Sequence, residues 1–144
     1  MRKSKKVLTL SLKELEYTAF RLARSLLIYD EPIPDFSTRY PRVLESCLAT
    51  PFQQFGGRNL YRGLSGKAAA LFYLMIKNHP FRNGNKRIAM TALFVFLHKN
   101  KKWLKVDTTE LYNFAMWVAR SPAKLKNDTV RATESFIKEY IIDL

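Results

Sequence analysis

Cysteine is all but missing from this chain, and the single Cys47 excludes an internal disulfide framework. It falls in a helical pattern, where a lone thiol serves as a small buried apolar side chain in a reducing compartment. Long apolar runs are missing too: the longest, Ile88 to Leu97, is far short of the ~20 residues that span a bilayer, so a soluble protein is expected. Glycine and proline are sparse, at 5 and 6, and there is no repeat or biased tract, which excludes fibrous and low-complexity classes. Acidic residues are the other shortage. Against 12 Asp and Glu stand 25 Lys and Arg, a net charge of +13 that favours nucleotides, nucleic acids or acidic proteins as partners without choosing among them.

What is present is a helix-forming pattern over most of 144 residues, a length that supports one domain with a real core. Residues 1–10 read as a basic N-terminal arm with the composition of a flexible end, and 11–144 as a single domain. The start, Met1 to Lys6, has the charge of a signal peptide's first part. Lys13, Glu14 and Glu16 interrupt the apolar stretch from Val7 to Tyr17, so a cytoplasmic location is expected.

Ser11 and Glu14 form a capping-box pattern ahead of Leu12, Leu15, Ala19, Leu22 and Leu26, predicting a first helix to about Tyr29. Pro32 and Pro34 mark a loop, and Tyr40 to Ala49 reads as a second helix. The glycine-bearing stretch from Pro51 to Leu64 predicts an irregular excursion beside the site, with an extended flap. Ser65 to Asn78 and Asn85 to Lys99 are apolar on nearly every face and predict two central buried helices. Trp103 to Val106 suits a short extended segment. Asp107 and Glu110 repeat the capping-box pattern before a helix to about Arg120, and a last helix is expected from Asn127 or Asp128. The expected class is all-α: a compact bundle of about six helices whose central pair flanks one loop.

That loop is His79-Pro80-Phe81-Arg82-Asn83-Gly84-Asn85-Lys86-Arg87. Pro80 disfavours helical geometry at His79, so the preceding helix stops there and projects an imidazole from its end. Histidine titrates near neutrality and suits a general base. Gly84 permits a sharp turn, and the amides of Gly84, Asn85 and Lys86 then lie at a helix start, where phosphate binds to N–H groups and the dipole. Asn85 either caps that helix or holds the shape of the anion pocket. Lys86 and Arg87 supply a point charge and a planar fork for phosphate oxygens. Phe81 reads as the aromatic anchor of the loop, and Arg82 points either to solvent or to a phosphate.

This run resembles the signature HxFx(D/E)GNGRxxR of the Fic superfamily, and more closely its death-on-curing (Doc) branch, in which Lys takes the place of the third small residue. Likeness continues through Arg42 to Ser46, Leu60-Tyr61, Lys67 to Ala70, and Ala92 to Leu97 with Asn100. The resemblance implies a helical enzyme that moves part of a nucleoside triphosphate, ATP or another, onto a protein hydroxyl. In the Doc-like case a phosphoryl group goes to a translation elongation factor; in the Fic case AMP is transferred. Position by position it implies His79 as base, Gly84 and Asn85 as anion hole, and Lys86 and Arg87 as phosphate clamps. It further implies a toxin whose acidic antitoxin would meet the positive surface.

Three positions depart from the pattern. The carboxylate implied to hold Mg²⁺ is replaced by Asn83, a weak metal ligand because hard cations favour carboxylate. The second Fic arginine is replaced by Met90, which counts against AMP transfer. Ser135 to Tyr140 matches an inhibitory pattern of the superfamily, (S/T)xxxE(G/N), except at its last position, leaving Glu139 as an ordinary surface residue. Two other readings stay open: a relative that binds nucleotide without turnover, and an RNA-binding or RNA-cleaving protein using His98, Lys99, Lys101, Lys102, Trp103 and Lys105, where cations surround a stackable ring.

Overall fold

A computed structural model of the chain describes residues 6–26 and 32–144. Six helices appear among the described residues, and the all-α expectation holds. The first, α1, opens at Leu12–Glu14 with the reciprocal bonds of a capping box: the Ser11 hydroxyl accepts from the Glu14 amide, and the Glu14 carboxylate accepts from the Ser11 amide. It widens into a π-helical segment, Leu15–Phe20, and returns to α-helix at Arg21–Leu26. The expected end near Tyr29, and Asp30 and Glu31 of the loop, lie outside the described residues.

The remaining helices are α2 (Pro41–Ala49), α3 (Gly63–Lys77), α4 (Asn85–Lys99), α5 (Thr108–Arg120) and α6 (Lys126–Tyr140). Two antiparallel strand pairs complete the chain. β1 (Gln54–Phe55) turns into β2 (Arg58–Asn59) through Gly56 and Gly57, while β3 (Lys102–Leu104) pairs with β4 (Ile141–Asp143) and brings the end of α6 back to the end of α4.

The hydrophobic pattern explains the packing. Every residue of α3 from Gly66 to Ile76 is buried, and its three consecutive alanines, Ala68 to Ala70, combine high helix propensity with little bulk, so α4 and α6 approach it closely. α4 contributes Ile88, Ala89, Met90, Leu93, Phe96 and Leu97 to the same core. These are the two central helices that the apolar periodicity predicts. Cys47 is wholly buried among them, and desolvation pushes its thiol up to about 12, so it is an inert core group at neutral pH.

The ends are tied down by polar contacts. Leu8 donates its amide to Asn100 Oδ1 and accepts from Asn100 Nδ2, and the Lys99 ammonium bridges the Thr9 carbonyl and the Glu14 carboxylate. Burial raises the Glu14 pKa, but bonds from Lys99 and Ser11 outweigh it and hold the carboxyl below its ordinary value.

Four local expectations need correction. α3 begins two residues early, at Gly63, and α6 begins at Lys126, after a 3₁₀ turn at Ala123–Leu125. Asp107 caps α5 through the Thr109 amide, but the Glu110 carboxylate accepts from the Tyr140 hydroxyl instead of closing a capping box. The β1–β2 hairpin exists as the expected flap, yet not beside the loop: Phe52, just before it, packs edge-on to Phe96 near the far end of α4, about 16 Å along the axis from Asn85. An apolar, glycine-bearing sequence specifies a turn but not the end of the bundle on which it lands.

Candidate active site

The site is built where α3 hands over to α4. α3 runs to Lys77, whose ammonium donates to the carbonyls of Ala119 and Ser121 and so joins this end to the end of α5. Asn78 is the C-cap, and His79 then takes a left-handed conformation, φ +52. Such values are uncommon outside glycine and cost on the order of 1–3 kcal/mol; surrounding contacts must hold them. The holding contacts are present. The Tyr40 amide donates to the Pro80 carbonyl at 2.9 Å, and Phe81, 1% exposed, buries its ring against Phe20 at 5.3 Å and Phe36 at 5.9 Å. Arg39 lies over the Phe36 ring, closing the aromatic group on its outer side.

Asn85 settles the alternative left open by the sequence. It does not cap α4, whose N-cap is Gly84 with no side-chain bond. Its amide instead clamps the loop: Oδ1 accepts from the Phe81 N–H at 3.0 Å and Nδ2 donates to the Phe81 carbonyl at 2.8 Å. These two bonds fix which end of the amide is which, so the nitrogen end faces His79 Nδ1 at 3.5 Å. That distance orients the imidazole loosely without locking a tautomer. His79 is exposed. An accessible imidazole held against the first residue of a helix is the arrangement a general base beside an anion cradle requires.

Gly84 is left-handed at φ +73, and an added Cβ would lie 2.4 Å from Ile33 Cδ1. The backbone conformation is what favours glycine, because the Ile33 methyl is the flexible end of a side chain and can shift aside. Gly84→Ala is expected to lose about 1–2 kcal/mol through backbone strain, with Ile33 displaced. Denaturant unfolding of the single variant and of Gly84→Ala with Ile33→Ala checks this, because the second change relieves the clash but leaves the strain.

The other predicted residues fall around this point. Asn83 and Lys86 are half-buried, Arg82 is exposed, and Arg87 is buried, lining a concavity of about 230 Å³ with Arg24, Pro32 and Ile33. Met90 is fully buried in the core and offers nothing to a ligand. Arg24 and Ile33 were not singled out by sequence. Arg24 has one signal, its spacing of four from Phe20, which puts both on one face of α1; Ile33 has none. A larger cleft, about 1050 Å³, lies elsewhere, between the start of α3, α6 and β4.

Two cations of the basic stretch proposed for RNA are ion-paired, Lys99 with Glu14 and Lys102 with Asp143, and Trp103 stacks on Phe94 at 4.9 Å. Glu139 is exposed on α6. No group of three or more metal-ligating His, Cys, Asp or Glu occurs among the described residues, and no helix there is long and apolar enough to cross a membrane.

The sequence model of the Fic/DOC family matches residues 12–97, which include α1 through most of α4 and the whole loop. A curated protein of Mycolicibacterium smegmatis, Toxin Doc, is 38% identical over 65 residues, or 45% of this chain and 50% of that protein. The match thus spans about half the length of that relative. No solved structure matches.

Proposed function

The chain belongs to the Fic/DOC family, and on that premise we propose that it is a Doc-like toxin that moves the terminal phosphoryl group of ATP or another nucleoside triphosphate onto a hydroxyl of a target protein, a translation elongation factor being the expected acceptor. The observation that carries this reading is the exposed His79 ring 3.5 Å from the Asn85 amide, at a helix start whose N-cap is a left-handed glycine.

The chemistry uses those groups directly. The target hydroxyl loses its proton to the His79 imidazole, and its oxygen attacks the terminal phosphorus. The bond from that phosphorus to the bridging oxygen breaks, and the nucleoside diphosphate leaves. Little covalent chemistry is asked of the protein, because phosphoryl transfer depends on positioning and on neutralising spreading negative charge. The start of α4 and the cations of Lys86 and Arg87 serve that end. Burial of Met90 favours phosphoryl over AMP transfer, since no cation is offered at the position where AMP-transferring relatives are expected to have one.

A resident Mg²⁺ does not fit the donor set. Asn83 brings a neutral amide oxygen, the loop from His79 to Arg87 contains no carboxylate, and Mg²⁺ held by protein usually takes at least one. The net charge of +13 suits an acidic antitoxin as the partner.

The test is transfer to purified elongation factors from ATP labelled on the α or the γ phosphate. Label from the γ position alone is expected. Label from the α position alone would establish AMP transfer instead, and RNA cleavage without nucleotide would support the RNA reading.

A further inference from the structure

A concavity of about 400 Å³ opens beside the turn that presents His79, lined by Arg42, Val43 and Ser46 of α2 and by Asn78. Asn78 is the residue before the proposed base. The Tyr40 amide, at the N-cap of α2, donates to the carbonyl of Pro80, the residue after it, so α2 is held against that turn. Arg42, Val43 and Ser46 share one face of α2, because residues three and four apart are neighbours on a helix. Val43 is half-buried and supplies the apolar part; Arg42, Ser46 and Asn78 are exposed and offer a guanidinium, a hydroxyl and an amide. Pockets for small molecules bury most of their ligand. A space walled by four residues, three of them exposed, suits a protruding segment of another protein instead.

Arg42 lies in the first turn of α2, where the helix dipole disfavours a cation. Helix stability therefore does not account for it. Nor does an ion pair along the helix: Glu45, three residues on and also exposed, makes none with Arg42 and does not line the concavity. A guanidinium presented at such a place selects a carboxylate, which it can grip through two parallel hydrogen bonds.

We infer that this concavity receives the acceptor protein, as a segment that carries an acidic side chain near the hydroxyl to be modified, with Arg42 pairing with that carboxylate and so placing the hydroxyl at His79. The inference rests on the transfer reading of the same site and adds the surface on which the second substrate docks. In it the start of α4 holds the phosphates and α2 holds the acceptor, which makes Arg42 a positioning residue. Initial rates of transfer from γ-labelled ATP to purified elongation factors test it on the full chain, with ATP and acceptor varied in turn, for the unmodified protein, Arg42→Ala, Arg42→Lys and Arg131→Ala. Arg131 is the control: it is exposed, pairs with Asp128 and lines the cleft at the start of α3, about 21 Å along that helix from Lys77.

Arg42→Ala is expected to raise the KM for the acceptor roughly 10- to 100-fold, the effect of losing hydrogen bonds to a charged group, and to leave kcat and the KM for ATP within about twofold. Arg42→Lys should fall between, since it keeps the charge and loses the fork. Arg131→Ala should turn over as the unmodified protein does, and Arg42→Ala should unfold at no lower a midpoint. An acceptor KM within about twofold of the unmodified value in Arg42→Ala would overturn the inference while leaving the transfer reading intact. So would an equal rise in Arg131→Ala, which would mark a general effect of surface charge, or a rise confined to the KM for ATP, which would put Arg42 on the nucleotide. An unmodified protein that labels no elongation factor would overturn both.

Discussion

Replacing His79 by Ala is expected to lower phosphoryl transfer by about 10²- to 10⁴-fold, the usual contribution of a positioned general base, while leaving the unfolding midpoint nearly unchanged. The second half of that expectation rests on exposure: the imidazole is not packed in the core, and its hydrogen-bond contact to Asn85 is a long one. Backbone geometry supplies a sharper variant. His79 sits at φ +52, and Asn adopts that conformation more readily than Ala does. His79→Asn therefore keeps the turn and a polar side chain but cannot take the proton. Equal loss in both variants, read from initial rates with labelled ATP, would assign the effect to chemistry. Recovery of most activity in His79→Asn would instead assign His79 a structural role in the turn.

Phe81→Ala is expected to be the most destabilising single change in the loop, at about 3–5 kcal/mol, the range for truncating a buried phenylalanine. The ring is 1% exposed and contacts Phe20 and Phe36, so its removal opens a cavity between α1, the 3₁₀ turn at Phe36–Thr38 and the loop. Activity should fall as well, because the backbone of Phe81 is what Asn85 clamps. Phe81→Leu, which refills most of the volume, should cost about 1–2 kcal/mol. Denaturant unfolding of the three proteins checks the order; a Phe81→Ala variant as stable as the unmodified protein would show that the loop is held by other contacts.

Much of this arrangement is legible in the sequence. The helix stop just before His79 follows from Pro80, the two buried helices from their unbroken apolar runs, and the anchor from an aromatic in a polar loop. Ser11 and Glu14 behave as their spacing predicts because both partners lie within one turn. Where a pattern needs a distant partner, sequence is silent. Glu110 has the spacing to close a capping box with Asp107, but Tyr140, 30 residues away, competes for its carboxylate and wins. The β1–β2 hairpin is correct as local structure and misplaced in space, since turn residues encode a reversal and not a destination. Asn85 shows the same limit: an amide at a helix start suits capping and loop clamping equally, and only its 3.0 and 2.8 Å bonds to Phe81 decide between them.

The claim on which all of this depends is that the imidazole and the start of α4 serve one bound phosphate chain. Nuclear magnetic resonance of the ¹⁵N-labelled protein, titrated with a non-hydrolysable ATP analogue, tests it most directly. The His79 ring nitrogens and the backbone amides of Gly84, Asn85 and Lys86 should shift together and saturate at a single shared affinity. Amide shifts that leave the His79 ring untouched, or ring and amides that titrate with different affinities, would contradict the account.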